Sequence, residues 1–107
     1  MPYGYSSVRQ ISPRQAHAMI STNPSCTILD VRSRSEYNSG HIPKAVCLPD
    51  NEISSRAPYF LPDKKSLILV YCKGGSRSRE SAASLVSMGY TNVYDIGGIN
   101  SWPYEIV

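Results

Sequence analysis

The sequence predicts an α/β fold, a mainly parallel sheet with helices on both faces. Three observations carry this expectation. Apolar runs of strand character alternate with segments of helical spacing along the chain. The helical segments bring their own start and stop residues, Ser12-Pro13 at one opening and Gly89 at one close. The strongest apolar run, Leu67 to Cys72, is continuous rather than alternating, as a strand covered on both faces must be.

Val8-Arg9-Gln10-Ile11 reads as a short first strand. Ser12 then caps a helix from Pro13 to Ile20, with Ala16, Met19 and Ile20 on one face. Thr22-Asn23-Pro24-Ser25 ends it. Thr27-Ile28-Leu29-Asp30-Val31 is a buried second strand whose end carries Asp30 and Arg32. Ser33 to Gly40 reads as one helical turn closed by Gly40. His41-Ile42-Pro43 is extended, because a residue before proline avoids the helical region. Ala45-Val46-Cys47-Leu48 is a short third strand stopped by Pro49. A short helix is expected near Asn51 to Arg56, with Pro58, Pro62 and Asp63 marking loop. Ser66 to Tyr71 forms the fourth strand. A helix opens at about Ser76 to Ser78 and runs to Met88, with Ala82, Leu85 and Val86 on one stripe and Tyr90 as the apolar contact after Gly89. Asn92 to Ile96 is the last strand. Gly97-Gly98 turns the chain, and Ile99 to Trp102 forms a helical turn before Pro103.

A chain of 107 residues has room for one core and not for two, so a single domain is expected. Its 41% hydrophobic and 18% charged content is that of an ordinary globular protein. No apolar run approaches a membrane span, and Met1-Pro2-Tyr3-Gly4-Tyr5 lacks charged and apolar signal regions. The net charge of +3 comes from scattered basic residues, and the eight tyrosines form no stacking platform. This argues against nucleic-acid and membrane partners and leaves room for a small anionic substrate. The three cysteines, Cys26, Cys47 and Cys72, have neither disulfide-framework nor zinc-site spacing. Such sparse, unpaired cysteines favour the cytoplasm.

In a parallel sheet every strand ends at the same edge, and ligands bind in the crevice outside it. That edge gathers Asp30-Val31-Arg32, Cys72 to Arg77, and Asp95 to Gly98. Cysteine reacts as the thiolate, yet a free thiol with a pKa near ~8.5 is mostly protonated at neutral pH. The stretch Cys72-Lys73-Gly74-Gly75-Ser76-Arg77-Ser78 is built to offset this. Gly74 and Gly75 let successive N–H groups turn inward as an anion nest. The following helix adds its positive N-terminal end, and Lys73 and Arg77 add formal charge. Cys72 is therefore the candidate nucleophile. The C-x4-R spacing closes a tight ring suited to one sulfur or a persulfide.

The other polar residues have plainer readings. Asp30 and Arg32 pair with each other or with loop charges and fix the shape of the site. Glu36 pairs with Arg32 or Arg34, or else is a solvated turn residue. His41 is the one histidine near the edge; a packed or backbone-bonded role is preferred to that of general base. His17 lies on a polar helix face. Cys47 is read as a buried hydrophobe and Cys26 as a bystander.

These residues resemble those of the rhodanese domains. Cys72 to Ser78 looks like that family's active-site loop and Asp30-Val31-Arg32 like its strand-end signature. Glu36-Tyr37-Asn38-Ser39-Gly40-His41-Ile42-Pro43-Lys44-Ala45 looks like its second signature, and Gly97-Gly98-Ile99 to Trp102 like its C-terminal one. The matches fall in family order over residues 8 to 102. The resemblance implies a single rhodanese domain over residues 1–107, with a five-stranded, mainly parallel sheet and helices on both faces. It also implies a sulfurtransferase in which Cys72 takes the outer sulfur of a donor such as thiosulfate. The persulfide, cradled by Lys73, Gly74, Gly75, Ser76, Arg77 and Ser78, then passes sulfur to cyanide, a thiol or an acceptor protein. No cofactor or metal is implied. Lys73 stands where the family often has arginine, which forfeits bidentate anion binding. Gly74 stands where it often has a small hydroxyl residue, and Lys44 where it often has glycine. The short tail after Trp102 implies either a reduced closing helix or one that continues beyond the given sequence. Two other functions compete. A cysteine phosphatase or arsenate reductase would resemble C-x5-R, one residue longer than this loop. A non-catalytic binding module would commonly lack the cysteine, which is present here.

Overall fold

The computed structural model describes residues 8–107, so the opening stretch Met1 to Tyr5 lies outside it. In chain order the elements are β1 (Arg9–Gln10), α1 (Pro13–Thr22), β2 (Thr27–Asp30), α2 (Arg34–Ser39) and β3 (Val46–Cys47). They continue with α3 (Ile53–Phe60), β4 (Ile68–Cys72), α4 (Ser76–Ser87) and β5 (Val93–Gly98). Single 3-10 turns occupy Asp50–Glu52 and Ile99–Ser101. The five strands form one sheet in the order β1-β5-β4-β2-β3, every pair parallel. No helix among the described residues is long and apolar enough to cross a membrane.

Local chemistry explains most of the boundaries. Ser12 and Gln15 close a reciprocal capping box on α1: Gln15 N donates to Ser12 Oγ at 3.1 Å and Ser12 N to Gln15 Oε1 at 2.9 Å. The same device starts α2, where Ser33 and Glu36 cap each other. After α4, Gly89 takes φ +100° while its N–H reaches Val86 O at 3.0 Å and Tyr90 N reaches Leu85 O at 3.1 Å. That pair of bonds is the Schellman closure. The strand expected to end at Tyr71 includes Cys72.

The expectation for Pro58 fails. Pro58 does not mark loop but lies inside α3, which extends to Phe60. A proline N cannot bond the carbonyl four residues back, here that of Ser54. Ser54 is exposed, so water can serve that carbonyl, while Ile53 and Ala57 bury the opposite side of the helix. Tertiary burial outweighs the local penalty.

Strand alternation divides the core in two. Leu29, Ile68, Val70, Cys72 and Val93 face α3 and α4, packing with Ile53, Ala57, Ala82 and Leu85. Ile28, Leu69, Tyr71 and Ile96 face the other way, toward α1 and Trp102. Each large aliphatic side chain fully buried in these layers contributes roughly 1.5–3 kcal/mol. The cysteine therefore rests on one packed face, and the Tyr71 side chain on the other.

Candidate active site

β4 lies between β2 and β5, which places Cys72 amid the strand ends. The pairing with β5 slips at this point: Val70 faces Asp95, but Cys72 faces Gly98. The extra residue on β5 makes a bulge, with Gly97 at φ +87°. Gly98 then passes so close to the loop that a Cβ on it would meet Lys73 O at 2.1 Å. Only glycine fits there. Asn100 N donates to Lys73 O at 3.2 Å and ties β5's continuation to the loop.

Cys72 is 1% exposed. Gly75 N donates to its sulfur at 3.0 Å. Gly75 has φ +112° and is the N-cap of α4, with no side chain capping that end. The positive end of the helix thus opens beside the sulfur. Of the two loop glycines, only Gly75 needs its freedom; Gly74 has no positive φ, and a Cβ on it would enter open space. Ser78 is fully buried, its Oγ 3.4 Å from Cys72 Sγ and 2.8 Å from Asp95 Oδ1. Beside the loop opens a cleft of ≈ 830 Å³ lined by Gln10, Gly74, Gly75, Ser76, Asp95 and Gly97 among others.

Arg77 reaches away to α2. Its guanidinium forms a fork with Glu36 at 2.7 and 3.0 Å. This corrects the expected partners: Glu36 pairs with neither Arg32 nor Arg34. Arg34 is taken by Glu52, and Arg32 by Asp30. The Arg77 hydrogen bonds hold the Glu36 carboxyl down at about 2. Glu36 also caps α2 through Ser33, so one carboxylate fixes both the helix start and the last cation of the loop. The Ser-x-x-Glu spacing at Ser33 to Glu36 was the readable signal for the cap. Lys73 and Ser76 are exposed at the loop.

Asp30 and Arg32 pair with each other at 2.7 Å, both buried. Tyr71 OH donates to Asp30 Oδ2 at 2.7 Å and accepts from Ile42 N at 3.1 Å, while Arg32 Nη2 donates to Gly40 O at 2.7 Å. This cluster fastens the connection between α2 and β3. It shares the face of Tyr71 rather than that of Cys72. His41 stacks on Tyr37 with centroids 3.8 Å apart, and its Nδ1 bonds Tyr37 O at 3.0 Å. Its backbone pairs with that of Val107 in both directions at 2.9 Å. Beyond the 3-10 turn at Ile99–Ser101, residues 102–107 run without a helix to this pairing with His41. His17 is exposed and stacks on Tyr104. Cys26 and Cys47 are half-buried, and burial pushes both thiols up. The sequence places the segment Asp95 to Gly98 at this edge but assigns Asp95 no role of its own, and the structure brings it against Ser78. Its parity with Val93, two residues earlier on the strand, was the available sign that it shares the face of Cys72.

The rhodanese-like domain family matches residues 12–104. The chain is 35% identical over 71 residues to the thiosulfate sulfurtransferase PspE of Escherichia coli K12, covering 66% of this chain and 68% of PspE. It is 30% identical over 104 residues to the adenylyltransferase and sulfurtransferase UBA4 of Candida albicans. That match covers 91% of this chain but only 24% of UBA4. The crystal structure of the Alr3790 protein from Anabaena superposes with a TM-score of 0.82 at 30% identity, covering 91% of this chain and 90% of that one. The parallel sheet seen here is shared with the Anabaena structure, and the chain belongs to the rhodanese-like sulfurtransferase family.

Proposed function

We propose that the chain, acting as one domain, moves a sulfane sulfur from thiosulfate or a related small anionic donor to cyanide or a thiol through a persulfide on Cys72. The observation that carries this reading is the Gly75 N–H aimed at Cys72 Sγ under the uncapped end of α4. Negative charge on sulfur is favoured there both before and after transfer.

In the first step the Cys72 thiolate attacks the outer sulfur of the donor. A sulfur–sulfur bond forms to Cys72, and the donor's own sulfur–sulfur bond breaks, its electron pair leaving on sulfite. In the second step the acceptor's thiolate or carbon lone pair attacks the outer sulfur of the persulfide, and Cys72 leaves as thiolate. Electrons balance without a cofactor. PspE, named a thiosulfate sulfurtransferase, supports thiosulfate as the donor to test first. The cleft beside the loop offers room for an acceptor. A reducing compartment such as the cytoplasm suits the reading, since it keeps an acceptor thiol reduced.

The test is to incubate the protein with thiosulfate and map the product by mass spectrometry. One added sulfur on the peptide holding Cys72, absent in Cys72→Ser, is the expected result. Intact protein without added sulfur after exposure to thiosulfate and small persulfides would overturn the proposal.

A further inference from the structure

The Ser78 hydroxyl has one proton and four acceptors near it. Asp95 Oδ1 lies at 2.8 Å, Gly75 O at 3.1 Å, Gly97 O at 3.4 Å and Cys72 Sγ at 3.4 Å. The carboxylate is both the nearest and a formal charge, so it takes the proton. An oxygen lone pair of Ser78 then faces Cys72. A thiol can donate to that lone pair, whereas a thiolate cannot.

Asp95 is held in place for this task. It is 3% exposed, accepts Gly97 N on Oδ1 at 2.9 Å, and accepts Gln10 Nε2 on Oδ2 at 3.3 Å. No Lys or Arg pairs with it among the described residues, unlike Asp30 with its Arg32.

We propose that Asp95 is a positioning residue for the reacting thiol: by holding the Ser78 proton, it selects the protonated form of Cys72. The inference rests on Cys72 being the reacting sulfur. The groups around that sulfur are then opposed. Gly75 N–H, the start of α4, Lys73 and Arg77 favour the anion, although Glu36 binds Arg77 and Asp50 lies near it. Asp95, acting through Ser78, favours the thiol. When Cys72 ionises, its proton leaves to water. Ser78 can then turn its own proton to the sulfur, leaving Asp95 with Gly97 N–H and Gln10 as donors.

The experiment is a pH titration of the thiolate by its ultraviolet absorbance, read as the difference between each protein and the same protein carrying Cys72→Ser. Asp95→Asn should move the midpoint toward acid by about one pH unit, a tenfold gain in thiolate on the acid flank. In a Ser78→Ala background the same substitution should move it much less, because the relaying hydroxyl is gone. Equal shifts in both backgrounds would mean plain charge repulsion and overturn the proposal, as would no shift or an alkaline one. Should Asp95→Asn not fold, Ser78→Ala alone decides. It removes the acceptor of the thiol and should shift the midpoint toward acid; an alkaline shift would show that Ser78 serves the thiolate. The titration needs no sulfur donor, so its failure is separable from a failure of Cys72 to carry sulfur.

Discussion

Lys44 is the one non-glycine residue with positive φ among those described, at +71°. It is the third residue of a tight turn in which Ala45 N donates to Ile42 O at 3.0 Å, and Pro43 precedes it. A proline followed by a positive φ is the pattern of a type II turn, whose third position favours glycine. The family's habitual glycine there thus has a backbone cause, and the turn keeps its shape with lysine in place. A side chain in this region costs about 1–2 kcal/mol, and glycine returns some of that through its freer unfolded chain. Lys44→Gly should stabilise the fold by about 0.5–1 kcal/mol, raising Tm by roughly 3–6 °C. Thermal unfolding followed by circular dichroism measures it. A lower Tm would mean that the lysine side chain makes compensating contacts. The sequence allowed the departure from glycine to be noticed, but not its sign, because φ is a property of the closed turn.

At the scale of elements, the link between α2 and the start of α4 is the Glu36–Arg77 pair, with side chains 29% and 33% exposed. Its carboxyl is depressed to about 2, first by the Arg77 hydrogen bonds. An unfolded glutamate titrates near ~4.3. The pair therefore contributes stability above that value and loses it as pH falls through about 2. Partial exposure screens the pair, so its worth is ~1 kcal/mol. Glu36→Gln should cost about that much at neutral pH, with the difference from the parent closing in strong acid. Urea unfolding at two pH values checks this; a difference that stays constant with pH would sink it. The elements themselves were legible wherever local and tertiary forces agree. Ser12-Pro13 and Gly89 announced α1 and the end of α4 because capping is a short-range matter. Pro58 misled because the burial of Ile53 and Ala57, which holds α3 together, is decided by neighbours far along the chain.

Across the whole molecule, alternation of strand and helix was enough to foresee a parallel sheet and a common carboxyl edge. The order β1-β5-β4-β2-β3 was not, since it depends on which buried strands pair. Nor was the division of that edge between two faces, which separates the Cys72 loop from the Asp30–Arg32–Tyr71 cluster. This division makes a prediction. Tyr71 is 1% exposed, and its hydroxyl serves both Asp30 and the Ile42 N–H, with the Arg32 guanidinium 5.7 Å from the ring centroid. Tyr71→Phe keeps the ring but leaves a buried N–H without an acceptor and a buried carboxylate short of one donor. The expected cost is about 2 kcal/mol. For a chain of this size that lowers Tm by roughly 10 °C. The side chain points away from the cysteine, so persulfide formation below the new Tm should proceed as in the parent. Thermal unfolding together with the thiosulfate mass assay reads both quantities. A variant that kept its Tm but lost sulfur loading would show that the two faces are coupled through β4, against the separation argued from the side-chain packing.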